Sequence, residues 1–301
     1  MDKLNEKRGD LLKFIDTDRE LSVIYHSDVD GVVSAALIAK SLKIIGKEIS
    51  MLVPANYGEM DDIENKVNGK VIFLDMKVPR EIYSRFINRG LCIIDHHEML
   101  TEDIDRFLYI NPKMWGDYKY TPNSFIVYKL FENELKDYDW LACIGLISDA
   151  GGKENQEFVK ATAKRYDIKL GDDEFMFDNK LGKAGDIINS LIIYHQKTGA
   201  KEALNLLIDM KSLDDIYNNE FLSRVYKKVN NKIKMLLDKF ETFSEIYDNI
   251  YFFELEREYG KYSSTIATIL GLNEKYRGKI IVIVKDIDDE NIRYSIRANG
   301  L

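Results

Sequence analysis

The chain has 301 residues, 45% apolar and 31% charged, which is enough for a buried core and about two domains. Its net charge of −8 argues against a protein that coats nucleic acid non-specifically, though not against a local basic groove. No stretch approaches the roughly 20 apolar residues of a membrane span, and the charged N-terminus carries no signal-peptide core, so no membrane association and a cytoplasmic location are expected.

In chain order, residues 2–20 are charged and amphipathic and predict a leading helix. Residues 21–26, Leu-Ser-Val-Ile-Tyr-His, predict a first strand. Gly31 to Ile45 has helical spacing, with Val33, Leu37, Ile38 and Leu42 on one face and Gly46 as its stop. Ile49 to Val53 predicts a second strand ended by Pro54, and Met60 to Val67 a short helix. Lys70 to Asp75 predicts a third strand, Pro79 to Arg89 a helix with proline in its first turn, and Gly90 to Asp95 a fourth strand. Phe107 to Ile110 predicts a fifth. Strand alternating with helix, in nearly continuous apolar runs, is the pattern of a doubly wound parallel α/β sheet.

Beyond it, Pro122 to Leu135 and Trp140 to Ser148 predict helices, the second broken by Ala150-Gly151-Gly152. Residues 153–183 read as polar and glycine-containing, with an acidic cluster at Asp172-Asp173-Glu174. Ile187 to Ile193 and Lys201 to Ile208 read as helices. Residues 214–243 read as one long helix, with Val225, Val229, Ile233, Leu236, Leu237 and Phe240 at three- and four-residue steps. The lysines between them read as a solvated face, or else as a basic wall beside a phosphate-rich substrate. A smaller α+β piece follows: strand Ile250–Leu255, helix Ser263–Leu272, and strands Ile280–Val284 and Ile292–Arg297. The expected division is a catalytic domain over 1–200, a helical connector over 201–243 and a small C-terminal domain over 244–301.

Polar residues gather where the apolar runs end. Leu91-Cys92-Ile93-Ile94 runs into Asp95-His96-His97, and the chain holds only four histidines. The first strand runs into His26-Ser27-Asp28-Val29-Asp30-Gly31. In an extended stretch His26, Asp28 and Asp30 point to one side. Gly31 allows a tight turn into the helix. A helix N-cap explains one aspartate there, but not two with a histidine. Asp75 closes the third strand, whose neighbours in a parallel sheet are expected to be the first and fourth. Asp149 reads either as a ligand or as a turn residue after an apolar helix. His195, among Ile192, Ile193 and Tyr194, reads as structural, and Cys92 and Cys143 read as reduced, buried thiols.

Four aspartates and two or three histidines suffice for two divalent cations sharing a carboxylate. Mixed oxygen and imidazole donors suit Mn²⁺, with Mg²⁺, Co²⁺ or Zn²⁺ as alternatives. Such a pair serves hydrolysis of a phosphodiester or phosphoanhydride. The sequence has no serine or cysteine nucleophile pattern, no phosphate-binding glycine loop and no hydride-cofactor fingerprint.

These residues resemble the DHH phosphoesterase superfamily, named for an Asp-His-His run, here Asp95-His96-His97. The resemblance covers most of residues 20–152, through His26-Ser27-Asp28-Val29-Asp30-Gly31, Phe73-Leu74-Asp75, Ile93-Ile94-Asp95-His96-His97 and Asp149. Asn111-Pro112 and Thr121-Pro122-Asn123-Ser124 look like family connections. The resemblance implies that His26, Asp28 and Asp75 hold one ion and Asp30, Asp75, His96 and Asp149 the other. It implies that Asp95 orients the neighbouring imidazole and that His97 faces the scissile phosphate.

His-x-Asp-x-Asp-Gly at the first strand is similar to RecJ-like nucleases and oligonucleotide phosphodiesterases, the archaeal RecJ-like proteins above all. Family II pyrophosphatases usually read Asn-Pro-Asp-x-Asp-Ser there. Residues 244–301, including Tyr294-Ser295-Ile296-Arg297, resemble the start of the family's second domain, but its glycine-rich loop is not in this sequence. The expected function is metal-dependent exonucleolytic hydrolysis of single-stranded DNA or RNA, or of short oligonucleotides. The alternatives are a pyrophosphate or polyphosphate hydrolase, or a scaffold with a replisome or repair-helicase partner.

Overall fold

In the computed structural model, which describes residues 2–16, 19–56, 60–171, 177–286 and 292–298, the five apolar runs of the N-terminal half form one sheet. The strands are β1 (Leu21–His26), β2 (Met51–Ala55), β3 (Lys70–Leu74), β4 (Leu91–Ile94) and β5 (Leu108–Ile110), and every pairing is parallel. Parallel neighbours cannot be joined by tight turns, so each connection crosses a face of the sheet and both faces are covered. That is why Val23, Ile24 and Tyr25, or Ile72, Phe73 and Leu74, are all fully buried despite pointing to alternate sides.

The strand order is β2-β1-β3-β4-β5. From β1 the chain steps one way to β2, then returns across β1 to β3. The crevice beyond the C-terminal ends of β1 and β3 lies at this reversal, where open α/β sheets bind ligands.

The helices in chain order are α1 (Asp2–Ile15), α2 (Val29–Ile44), α3 (Arg80–Tyr83), α4 (Asn123–Leu130), α5 (Asp139–Ser148), α6 (Gln156–Arg165), α7 (Lys180–His195), α8 (Lys197–Asp209), α9 (Leu213–Asn218), α10 (Glu220–Phe243) and α11 (Ser263–Leu272). Helix α2 is the hub of one layer. It packs against α4, α5 and α8, and buries Val32, Val33, Ala35, Ala36, Leu37 and Ile38. The opposite layer is built from short pieces, with Met60, Ile63, Val67, Ile82, Tyr83 and Phe86 packed over Ile24, Phe73, Ile93 and Tyr109.

Several local expectations are revised. Pro54 does not end β2 but pairs with Tyr25 inside it, because β2 is an edge strand whose outer side needs no N–H donor. Residues 79–89 are not one helix. They form α3 and a separate 3₁₀ turn over Ile87–Arg89. Residues 153–183 contain α6, which buries only Val159, Thr162 and Ala163 and so leaves little apolar periodicity to detect. The 214–243 helix is broken at Asn219, whose extended backbone ends α9 and whose Oδ1 caps α10 by accepting from the Leu222 N–H at 3.1 Å. The cluster Asp172-Asp173-Glu174 lies outside the described residues. Cys92 and Cys143 are buried free thiols. Among the described residues, no helix is long and apolar enough to cross a membrane.

The chain divides into two compact units, Met1–Ser223 and Arg224–Leu301. The second is a smaller α+β fold entered through the long helix α10. Its four-stranded sheet has the order β6 (Glu245–Tyr247), β7 (Ile250–Leu255), β8 (Ile280–Asp286) and β9 (Ile292–Ala298). The β7–β8 pair is parallel, joined through α11, and the outer pairs are antiparallel. Phe240 of α10 packs edge-on against Phe253 and Tyr276, with ring centroids 5.6 and 5.5 Å away. The lysines of α10 are partly engaged: Lys232 lies 4.5 Å over the Tyr259 ring, and Lys239 pairs with Glu256 at 2.5 Å. Strand β6 is not foreseen from the sequence, because its three residues are all exposed and carry no apolar alternation.

Within the first unit, Lys40 is a buried cation that ties α2 to the end of α8. Its Nζ donates to the Ile208 carbonyl at 2.9 Å and the Met210 carbonyl at 2.6 Å. Burial lowers its pKa from the ordinary 10.5 to about 8. Lys40→Met leaves both carbonyls without this donor and is expected to cost about 1–3 kcal/mol in urea unfolding at pH 7. Between pH 8 and 10.5 the unfolded chain holds the Lys40 proton more tightly than the folded one. Wild-type stability therefore gains relative to Lys40→Met as pH rises through that window. A gap that narrows with rising pH would contradict this account.

Candidate metal centre

The extended backbone of β1 stops at His26. Asp28, still extended with φ −89° and ψ −174°, caps α2 by accepting the Gly31 N–H at 2.9 Å, and the helix begins at Val29. His26, Asp28 and Asp30 therefore do not point to one side of a single strand, as simple alternation predicts. Asp30 sits in the first helical turn and joins a different group of side chains from the other two. Gly31 is needed for a different reason from the one expected. It is helical, and a Cβ there would run into the His26 carbonyl, so its absent side chain lets α2 start directly on β1.

Asp75 follows β3 with φ of +62°, a left-handed conformation that aspartate tolerates better than most residues. Its N–H still donates to the Ile94 carbonyl at 3.0 Å, so the ladder with β4 holds it against Asp95-His96-His97. The Asn123 side-chain amide, oriented to satisfy both its ends, donates to the same Ile94 carbonyl at 3.0 Å and accepts from the Asp75 N–H at 3.2 Å. Asp75 is 2% exposed.

Two sets of candidate ligand atoms result, with a third grouping that links them through Asp75. His26, Asp28 and Asp75 form one. His26 Nδ1 is 2.8 Å from Asp28 Oδ2 and 3.8 Å from Asp75 Oδ2. Asp30, His96 and Asp149 form the other, with His96 Nε2 3.5 Å from Asp149 Oδ2. Asp75 Oδ1 lies 3.2 Å from His96 Nε2, and Asp75 also groups with His96 and His97. Within each set, one ligand atom per residue lies within 4.8 Å of the others. Asp95 belongs to neither set. Its Oδ1 accepts from His97 Nδ1 at 2.7 Å, so the imidazole it orients is that of His97. His195 pairs instead with Glu202 at 2.8 Å and joins no set among the described residues.

The surroundings hold these groups in place. Asp30 accepts the backbone N–H groups of Asn123 at 2.7 Å and Ser124 at 3.1 Å, the start of α4. A Cβ at Gly145 would press on Ser124 Oγ and Asp30 Oδ1, so α5 reaches this point only as glycine. Asn111 Nδ2 donates to the His97 carbonyl at 3.1 Å, and Lys113 Nζ to the same oxygen at 3.2 Å. Tyr120 donates to Asp149 Oδ2 at 2.6 Å and lies edge-on to His96. Sequence reasoning places Asn111 and Asn123 only in family-like connections and passes over Tyr120, a tyrosine in a polar loop with no pattern to mark it.

The field at the site is strongly negative. Burial, with the charges of Asp75 and Asp149, pushes Asp30 well above the ordinary carboxylate range. Burial and Asp28 do the same to Asp75. Burial also raises Asp149, against the pull of His96 and the Tyr120 hydrogen bond. Burial alone would raise Asp28, yet the adjacent His26 holds it at about 2. His26 is raised to about 11, burial opposing and Asp28 and Asp75 prevailing. A proton is held there by the same field that would hold a divalent cation. Oxygen and imidazole donors, buried like charges, and an Asp75 Oδ2 that makes no hydrogen bond among the described residues all fit divalent metal.

Residues 20–148 match the family model described as the DHH family, N-terminal domain. A comparison with curated protein sequences finds no match. Among solved structures the fold is similar to that of exonuclease RecJ bound to manganese, with a TM-score of 0.69 at 15% identity, over 93% of this chain and 79% of that one. RecJ in complex with Mn²⁺ from Thermus thermophilus also gives 0.69 at 15% identity, over 94% of this chain but only 46% of the Thermus protein. CDC45 from Entamoeba histolytica gives 0.65 at 11% identity, over 96% and 86% of the two chains. At these identities the structural matches speak for the fold, and the family match covers the strands and helices that carry the Asp-His-His run. Residues 20–148 thus carry the N-terminal domain of the DHH family, and the chain has a RecJ-like fold.

Proposed function

We propose that this protein is a two-metal phosphodiesterase that hydrolyses single-stranded nucleic acid or short oligonucleotides from an end. The observation that carries the reading is Asp75, a buried carboxylate with Oδ2 toward His26 and Oδ1 toward His96. One carboxylate turned toward two ligand sets is what a pair of ions sharing a ligand requires. His26, Asp28 and Asp75 would hold one ion, and Asp30, Asp75, His96 and Asp149 the other. The donor mixture favours Mn²⁺, and the manganese bound by exonuclease RecJ supports that choice. Residues 1–200 are read as the catalytic part, 201–243 as a connector and 244–301 as an associated domain.

When bound, the ions would neutralise phosphate oxygens and make a water nucleophilic near neutral pH. The remaining work falls to side chains. Asp95 is 1% exposed and commits His97 Nδ1 to a hydrogen bond. Burial tends to lower the His97 pKa, but the bond and charge of Asp95 raise it overall. The ring therefore keeps its proton to higher pH than a free imidazole, and its Nε2 is the atom assigned to the scissile phosphate. The buried scaffold around Asp30 and Asp75 fixes carboxylates that would otherwise repel one another apart.

The test is a Mn²⁺ assay on end-labelled single-stranded DNA and RNA of several lengths, beside pyrophosphate. Cleavage of one or both nucleic acids is expected, reduced at least about 100-fold by Asp75→Ala, since loss of a ligand should exceed the effect of losing a ligand's partner. Phosphate release from pyrophosphate with every oligonucleotide intact would overturn the reading in favour of a phosphoanhydride hydrolase. The two histidines should also separate. His97→Ala is expected to lower turnover about 10²- to 10⁴-fold with Mn²⁺ still bound, whereas His96→Ala should weaken Mn²⁺ binding itself. Equal loss of metal in both variants would show that the assignment of the two rings is wrong.

A further inference from the structure

The ligand set around His96 contains one carboxylate that the fold leaves loosely held. Asp30 is 2% exposed and is gripped by two backbone N–H groups. Asp75 is 2% exposed and sits on the β4 ladder. Asp149 is different. It lies just past the last turn of α5, its side chain is 30% exposed, and Ala150 beyond it has φ of +56°. Among the described residues, the hydroxyl of Tyr120 is the neutral donor that reaches it, at 2.6 Å to Oδ2.

Tyr120 is itself well anchored. Its ring lies edge-on to His96, with centroids 5.4 Å apart and planes at 67°. Its carbonyl accepts from Asn155 Nδ2 at 2.8 Å, and the same nitrogen donates to the Gly151 carbonyl at 2.9 Å. Asn155 is 2% exposed, so one buried amide clasps the backbone of Tyr120 to the turn after Asp149. The two segments also touch at Pro122, into which a Cβ at Gly151 would project. Tyr120 and Asp149 are thus held by one clasp, with the hydroxyl setting the carboxylate and the ring flanking the imidazole of the same set.

We infer that Tyr120 is a positioning residue for the cation site formed by Asp30, Asp75, His96 and Asp149, acting through the Asp149 carboxylate. The inference rests on the two-metal reading above. Hydrogen-bonded partners of ligating groups typically contribute roughly 10- to 100-fold in metal affinity. With the hydroxyl removed, Asp149 can rotate into solvent, and an ion at this site loses a preset ligand. Among the described residues the Tyr120 hydroxyl bonds to Asp149 and to no member of the His26–Asp28–Asp75 set, which keeps its affinity.

The experiment is Mn²⁺ binding to the full chain, read from the electron paramagnetic resonance signal of free Mn²⁺, for wild type, Tyr120→Phe, Asp149→Ala and the double variant. Phenylalanine keeps the ring on His96 and removes only the hydroxyl. The wild type is expected to bind two ions, and Tyr120→Phe to bind one of them about 10- to 100-fold more weakly. Asp149→Ala should weaken that same ion, and adding Tyr120→Phe to it should change nothing further, because the tyrosine acts through the missing carboxylate. A Tyr120→Phe isotherm that overlays a two-ion wild type overturns this inference and leaves the two-metal reading standing. So does a Tyr120→Phe effect of the same size with and without Asp149, which is what a merely structural role produces. A wild type that binds no Mn²⁺ overturns the two-metal reading and this inference together.

Discussion

The constraint on which the N-terminal unit depends is the mutual repulsion of carboxylates at one edge of a parallel sheet. Asp28, Asp30, Asp75 and Asp149 converge where β1 and β3 end, and Asp75 is almost wholly buried among them. Burial and neighbouring charge raise the pKa of Asp30 and Asp75 together, a direct sign that the site resists its own ionisation. Folding alone gives no reason to gather such groups. Divalent cations remove the repulsion and turn it into affinity, so the arrangement is costly as plain architecture and sensible as a binding site.

The scaffold answers this repulsion by rigid anchoring. Asp30 is held by the first N–H groups of α4, Asp75 by the ladder to β4 and by the Asn123 amide, and the His97 turn by Asn111 and Lys113. Glycines at 31 and 145 let α2 and α5 approach where any side chain would collide with His26 or with Asp30 and Ser124. Apart from the β4 ladder and Gly31 of α2, these contacts come from α4, α5 and the loop after β5, downstream of the strands that bear most of the candidate ligands. The site is therefore a product of the layer packed around α2 as much as of the strand ends.

The second unit follows a different logic. Its mixed sheet is organised by the β7-α11-β8 crossover and by aromatic packing of Phe240, Tyr251, Phe253 and Tyr276. No ligand set among the described residues draws on it. Its helix α10 presents lysines, of which Lys232 and Lys239 are already engaged with Tyr259 and Glu256. That leaves less of the basic face for a substrate than the sequence pattern suggests.

Much of the first unit is legible in the sequence for one physical reason. A strand covered on both faces is apolar at nearly every position, so β1, β3, β4 and β5 stand out as nearly continuous runs. Polar residues that close such runs are equally conspicuous, which is why His26, Asp28, Asp30, Asp75, Asp95, His96 and His97 stand out as candidates. Elements with little burial are not legible: α6 buries three side chains of ten residues and β6 none. The roles within the site need tertiary structure. Strand alternation puts Asp30 beside Asp28, whereas the first turn of α2 swings it toward His96 and Asp149. Tyr120 carries no signal along the chain and Asn123 only its place in a family-like connection, because their partners, Asp149 and Asp75, are brought to them only when the sheet edge and the helical layer close together. The sequence by itself determined which residues have chemistry to offer and at which end of the sheet. Only the tertiary structure decided how they divide into sets and what holds each one, since that depends on distances between segments far apart in the chain.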